Sequence, residues 1–121
     1  VNDQPAAERL SAAQARQVMD AEGERLLARL KPNVHAIALD GRGKVMDSVN
    51  FSTFLTNLEL EGRDAAFIIG GSLGLSAQVL AACPDRLSLG AMTWPHQIAR
   101  ILLLEQIYRG YRIARNEPYH K

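Results

Sequence analysis

A chain of 121 residues is long enough for one domain with its own core and too short for two, so a second binding surface has to come from another copy. Its 47% apolar and 22% charged residues exclude a disordered chain, and a net charge of +1 excludes a polyanion binder that works through bulk charge. The single cysteine, Cys83, excludes an internal disulfide and a thiolate zinc site, which points to a reducing compartment, the cytoplasm by default.

In chain order, Ser11 followed by Gln14 forms a capping box, and Ala15, Val18, Met19, Leu26 and Leu30 recur at helical spacing until Pro32. An amphipathic helix of about five turns is predicted there. Gly23 interrupts it at a cost of about 1 kcal/mol relative to Ala, and close packing is the reading offered for it. Val34 to Leu39 is a short apolar run, expected as a buried strand closed by a turn at Asp40-Gly41-Arg42-Gly43. Ser48 is the expected cap of the next helix, with Phe51, Phe54, Leu55 and Leu58 on one face and Gly62 at its end.

Ala65 to Ile69 is a second predicted strand, running into the loop Gly70-Gly71-Ser72-Leu73-Gly74; Ser76 then caps a short helix that stops before Pro84. Leu87 to Thr93 is the third predicted strand, and Pro95 opens a long helix carrying Ile98, Ile101, Leu102, Glu105 and Tyr108. Pro118 breaks that helix. Strands and helices alternating through short connections predict an α/β layer with a mainly parallel sheet, in one domain over residues 1–121. No apolar run reaches the roughly 18 to 20 residues that span a bilayer, and Val1 to Pro5 lack the regions of a signal peptide, so no membrane partner is expected.

Ligands of parallel α/β sheets bind beyond the carboxyl ends of the strands, which singles out three loops: Leu39 to Lys44, Ile69 to Gly74, and Gly90 to Pro95. Gly70, Gly71 and Gly74 either bring backbone amides close to a ligand or form a tight strand-to-helix turn. They are not a dinucleotide fingerprint, since the G-x-G-x-x-G spacing is lacking, and no Gly-Lys-Ser/Thr follows to make a P-loop. His35 falls within a strand and reads as a packed or edge histidine, and His96 as the first turn of a helix. His96, His120 and Cys83 have no ligand-like spacing, so no metal is expected, and there is no nucleophile elbow.

The end of the chain is locally basic: Arg100, Arg109, Arg112, Arg115 and Lys121 face only Glu105 and Glu117, with Tyr108, Tyr111 and Tyr119 interleaved. Asn116 to Lys121 is either a frayed terminus or a functional tail, in which Tyr119 stacks on a base and His120 exchanges a proton near neutral pH.

Taken together, these segments resemble one family. They are Asp20 to Glu24, Leu39-Asp40 with Gly43-Lys44, Phe67 to Leu75, Leu87-Ser88-Leu89 with Met92 to His96, Glu105 to Arg109, and Asn116 with Pro118-Tyr119-His120. In order and spacing the chain is similar to the YbeA-like SPOUT methyltransferases, which methylate N3 of a pseudouridine in large-subunit (23S) ribosomal RNA. The resemblance implies a trefoil-knotted α/β fold, with the knot and cofactor region at about residues 65–121, and S-adenosyl-L-methionine as cofactor. By position, Leu39, Gly70 and Gly71 would contact the cofactor's adenosine and methionyl parts, and Gly90, Ala91, Met92, Thr93, Trp94 and Pro95 would wrap the adenine.

The resemblance further implies a homodimer in which one subunit's tail approaches the other's cofactor pocket. A positioned base or a polarising hydrogen bond would assist loss of the target's imide proton. His120 is the residue implied for that task, with Tyr119 orienting or stacking the base and Arg109 holding phosphate or assisting the imide. The substrate would be ribosomal RNA, in the large subunit or the assembled ribosome. Relatives are expected to carry a further strand and helix ahead of the segment matching Ala7 to Leu30, a unit lacking from this chain, which starts at Val1 without an initiator Met. Lys121 stands where many relatives have Arg. The competing expectation is a SPOUT-like RNA-binding or ribosome-assembly factor with impaired catalysis.

Overall fold

The computed structural model describes residues 11–70 and 74–120. Among them the elements run α1 (Ala12–Ala28), β1 (Val34–Val45), α2 (Ser48–Leu60), β2 (Asp64–Ile68), α3 (Ala77–Ala82), β3 (Asp85–Ser88) and α4 (His96–Ala114). The expected alternation is present, and the strands form one parallel sheet in the order β2-β1-β3. The central strand is the first, so the chain crosses to one side of β1 through α2 and then to the other side through α3.

Period-two alternation along β1 divides the core in two. Ala36 and Ala38 pack with Ile68, Val79, Leu80 and Cys83, beneath apolar residues of α1. Ile37 points the other way, into Phe51, Leu55, Leu58, Leu87 and Leu103, which come from α2, β3 and α4. Helices therefore cover both faces of the sheet. His35 is buried on the α2 side, edge-on to Phe54, and its Nε2 lies 2.6 Å from Asp85 Oδ2, the packed histidine expected.

Local signals explain the helix starts. Ser11 and Gln14 make the reciprocal capping box, at 3.1 and 3.0 Å. Gly23 does serve close packing: a Cβ there would lie 2.5 Å from Ser76 Oγ of the α3 cap. At α2 the cap is Asp47, one residue before the expected Ser48; its carboxylate accepts from Asn50 N at 2.7 Å, where a negative group also meets the positive helix end. Ser48 becomes the first helical residue and donates to Gln106 Oε1 on α4 at 2.6 Å.

Two strands differ from expectation. β1 does not end at Leu39: both Leu39 and Lys44 pair with Leu87, so residues 40–43 form an excursion between two paired stretches. Gly43 allows this, because a Cβ at that position would strike the Arg86 carbonyl carbon at 2.6 Å. β3 lies earlier and is shorter than Leu87 to Thr93. Ser88 Oγ accepts from Gly90 N at 3.1 Å, and Gly90 has φ +116°, so the chain leaves the ladder there. The apolar residues that follow look like a strand in sequence but line a cavity instead.

Candidate cofactor cavity and tail site

The three strand-end loops converge on one cavity of about 910 Å³. Its wall contains Leu39 and the excursion of β1 from Asp40 to Arg42, then Ile69 and Gly70 after β2, then the run from Leu89 to His96 after β3. Leu39, Gly70, Gly90, Ala91, Met92, Thr93, Trp94 and Pro95 are thus all brought together. Gly71 lies outside the described residues. Met19 of α1, Leu75 just before α3, Leu80 of α3 and Ala99 of α4 also line the cavity; as apolar residues they carry no sequence signal that separates them from core.

Close backbone approach dominates this wall. At Gly70 a Cβ would meet the Gly74 carbonyl carbon at 2.6 Å and its oxygen at 2.7 Å, so the backbones of these two glycines approach with no space for a side chain at Gly70. Asp40 and Arg42 are the charged residues of the wall, and the Asp40 carboxylate is the less exposed of the two. Its Oδ1 accepts from Arg42 N at 3.4 Å and lies 3.6 Å from Arg42 Nε. Its Oδ2 is buried and accepts no hydrogen bond among the described residues. A buried carboxylate oxygen without a donor is costly unless a ligand supplies one.

The second assembly sits on α4 and the tail. The helix ends with Asn116 N donating to Ile113 O at 3.0 Å and Glu117 N to Arg112 O at 2.9 Å, while Asn116 takes φ +56°. This left-handed cap turns the chain back along the helix, so that Tyr119 and His120 reach Glu105 and Arg109. Arg109 donates through Nε and Nη2 to Glu105, the shortest contact being 2.8 Å, and its Nη1 lies 3.0 Å from His120 Nδ1. Tyr119 donates its hydroxyl to Glu105 Oε2 at 3.0 Å. Its ring lies under the Arg109 guanidinium at 4.8 Å and edge-on to Tyr108 at 5.0 Å.

All three candidate catalytic residues therefore form one cluster, joined by a fourth, Glu105. The hydrogen bonds from Arg109 above all hold the Glu105 carboxyl below its ordinary range, with Tyr119 adding to them. The same carboxylate raises the Tyr119 phenol and the Arg109 guanidinium. The i,i+4 spacing of Glu105 and Arg109 is the one sequence signal that could have pointed to this pair, and nothing local announces that the tail joins it.

A smaller cavity of about 630 Å³ adjoins the first, sharing Gly90 and Trp94 with it and having His120 on its wall. Opposite the buried side of α4, Ile98, Ile101, Leu104, Tyr108 and Tyr111 form an exposed apolar stripe, with Trp94 just before the helix. Among the described residues no group of three His, Cys, Asp or Glu side chains could hold a metal ion, and no helix is long and apolar enough to cross a membrane.

A family model described as predicted SPOUT methyltransferase matches residues 1–120. Among curated proteins, the chain is 51% identical to the ribosomal RNA large subunit methyltransferase H of Carboxydothermus hydrogenoformans, over all of this chain and 77% of that protein. It is 50% identical to the protein of the same name from Exiguobacterium sibiricum, with the same coverage. The similarly named protein of Pelotomaculum thermopropionicum is 50% identical over 99% of this chain and 76% of its own length.

Proposed function

The chain belongs to the SPOUT methyltransferase family, and from that membership we propose that it transfers a methyl group from S-adenosyl-L-methionine to N3 of a pseudouridine in 23S ribosomal RNA. The observation that carries the reading is the meeting of three separate strand-end loops around one cavity whose wall holds every described candidate cofactor residue. The relatives' printed name supports the ribosomal RNA substrate.

The residues present fit such a cofactor. When bound, it supplies an electrophilic methyl group on a positively charged sulfur. The Asp40 carboxylate, with an oxygen that has no donor among the described residues, complements a ligand bearing positive charge and hydroxyl groups. The close turn at Gly70 and the loop from Gly90 to Pro95 offer backbone groups and apolar surface to a flat ring. Gly71 belongs to the same proposed contact. The trefoil threading implied by the resemblance, in which the C-terminal helix and the loop before it pass through another loop, is part of this proposal too, within a single SPOUT domain.

The active form proposed is a homodimer. Its support is the exposed apolar stripe on α4, a surface that a second copy would cover. The tail is fastened to this same helix, so dimerisation through α4 would carry Tyr119 and His120 of one subunit towards the cavity of the other. Within that site His120 meets the imide of the target base, Tyr119 presents a ring for stacking, and Arg109 orients the tail. Nε, Nη1 and Nη2 of Arg109 each contact Glu105 or His120, which favours this orienting role over phosphate binding. Action on large-subunit RNA or the assembled ribosome implies the cytoplasm.

Tritiated methyl transfer to ribosomes lacking the modification, with calorimetry of S-adenosylmethionine and S-adenosylhomocysteine, tests the reading. Transfer to one pseudouridine and binding of both compounds are expected. Absence of binding at millimolar concentration would sink it, and binding without transfer would leave an RNA-binding or assembly factor.

A further inference from the structure

The tail cluster settles which ring nitrogen of His120 is free to act. A guanidinium has five N–H donors and no acceptor. The Arg109 Nη1 contact to His120 Nδ1 at 3.0 Å is therefore a hydrogen bond only if Nδ1 carries no proton and accepts. A neutral imidazole keeps one proton, which then sits on Nε2. The opposite tautomer would set N–H against N–H and lose the contact.

Arg109 is not at liberty to turn away. Its Nε and Nη2 are held by Glu105, and Glu105 is itself held by the Tyr119 hydroxyl and by Gln106 Nε2 at 2.8 Å. The carboxylate thus fixes one edge of the guanidinium and leaves Nη1 aimed at the imidazole. Asn116 fixes the other end, since its left-handed cap sets where the tail returns to the helix.

On the methyltransferase reading proposed above, we infer that His120 acts on the target base as a hydrogen-bond donor through Nε2–H and not as the acceptor of its imide proton. The target nitrogen lies between two carbonyl groups. When its proton leaves to water, the negative charge spreads over the nitrogen and both oxygens. An N–H directed at one of those oxygens stabilises that charge where it develops. The nitrogen lone pair then forms the bond to the methyl carbon as the carbon–sulfur bond breaks, its electron pair staying on sulfur to give a neutral thioether. Nε2 keeps its proton from start to finish.

Two measurements test this. In protein with ¹⁵N-labelled histidine, long-range proton–nitrogen correlation identifies the protonated nitrogen of each ring, and the signals missing from His120→Gln assign residue 120. An Nε2–H tautomer is expected; an Nδ1–H tautomer overturns the inference without any reference to activity. In methyl transfer, His120→Gln keeps an N–H donor but has no basic nitrogen, whereas His120→Ala has neither. The glutamine variant is expected within about tenfold of wild type and the alanine variant at least about a hundredfold below it, the size expected for losing a donor to a developing anion. Equal loss in both variants, with unchanged cofactor affinity, overturns the donor role. A wild-type protein that transfers no methyl group overturns the methyltransferase reading, and the role in the reaction with it, while the tautomer is still decided by the nitrogen spectra.

Discussion

The cavity at the strand ends and the cluster on α4 are built from opposite materials. The cavity is walled mainly by backbone, small residues and apolar side chains, with Asp40 as its buried charge. The cluster consists of charged and aromatic side chains on a half-exposed helix face, fastened by hydrogen bonds to Glu105. The first is a shape, set by where strands end; the second is an electrostatic arrangement, set by protonation. Substitution, pH and reagents should therefore separate them.

The largest separation should come from His120→Ala. Methyl transfer should fall by about 10² to 10³, while the affinity for S-adenosylmethionine measured by calorimetry stays within about threefold, since a shift of that size is under 1 kcal/mol. Parallel loss of both would erase the distinction drawn here. The reverse pattern is expected for Gly70→Val. Its side chain would be driven into the Gly74 backbone 2.6 Å away, so calorimetric cofactor binding should be lost while the Tyr119 and His120 signals stay as in wild type.

How much of this could be read from the chain depended on the range of the interaction. Ser11 with Gln14, Ser76 before α3 and Pro95 before α4 are local signals, and each starts its helix as expected. The strand-end loops were visible as glycine and small residues following apolar runs. Leu89 to Thr93 misled because apolar composition marks burial without saying whether a strand or a cavity wall provides it. Asp47 took the capping role from Ser48 because its carboxylate accepts from the Asn50 amide three residues on.

Within the cavity, Asp40→Asn sharpens the comparison on a smaller scale. Loss of one charge-assisted contact, worth about 1.5 to 3 kcal/mol, should weaken S-adenosylmethionine binding about tenfold or more and leave the pH response of the tail unchanged. An unaltered affinity would mean that the carboxylate does not meet the cofactor.

The pH response itself belongs to the cluster. Glu105 has its folded pKa lowered, first by Arg109. Its contribution to tail docking is therefore present above the ordinary carboxylate range and is lost as pH falls through the depressed folded value. Nuclear magnetic resonance of the Tyr119 ring should show release from Tyr108 over that acidic interval. Glu105→Gln should remove the transition; a transition that persists in this variant would assign it elsewhere. The smallest effect concerns Cys83, whose thiol is raised by burial despite nearby Arg86. Alkylation of the folded protein at neutral pH should be slower than that of the denatured chain, with mass spectrometry as the readout.

By itself the sequence determined the helices, the alternation that makes an α/β protein, and the loops where a ligand could enter. These follow from hydrophobic period, caps and glycines, whose effects act within a few residues. Tertiary structure decided the rest. Pairing of both Leu39 and Lys44 with Leu87 turned an expected terminal turn into an excursion that places Asp40 on the cavity wall. The return of the tail onto α4 joined Tyr119 and His120 to Glu105 and Arg109 and fixed which nitrogen of His120 accepts. The first outcome depends on pairing between segments distant in the chain and the second on the turn at Asn116 that lays the tail back over its own helix; in both, the geometry of packing selects the partner.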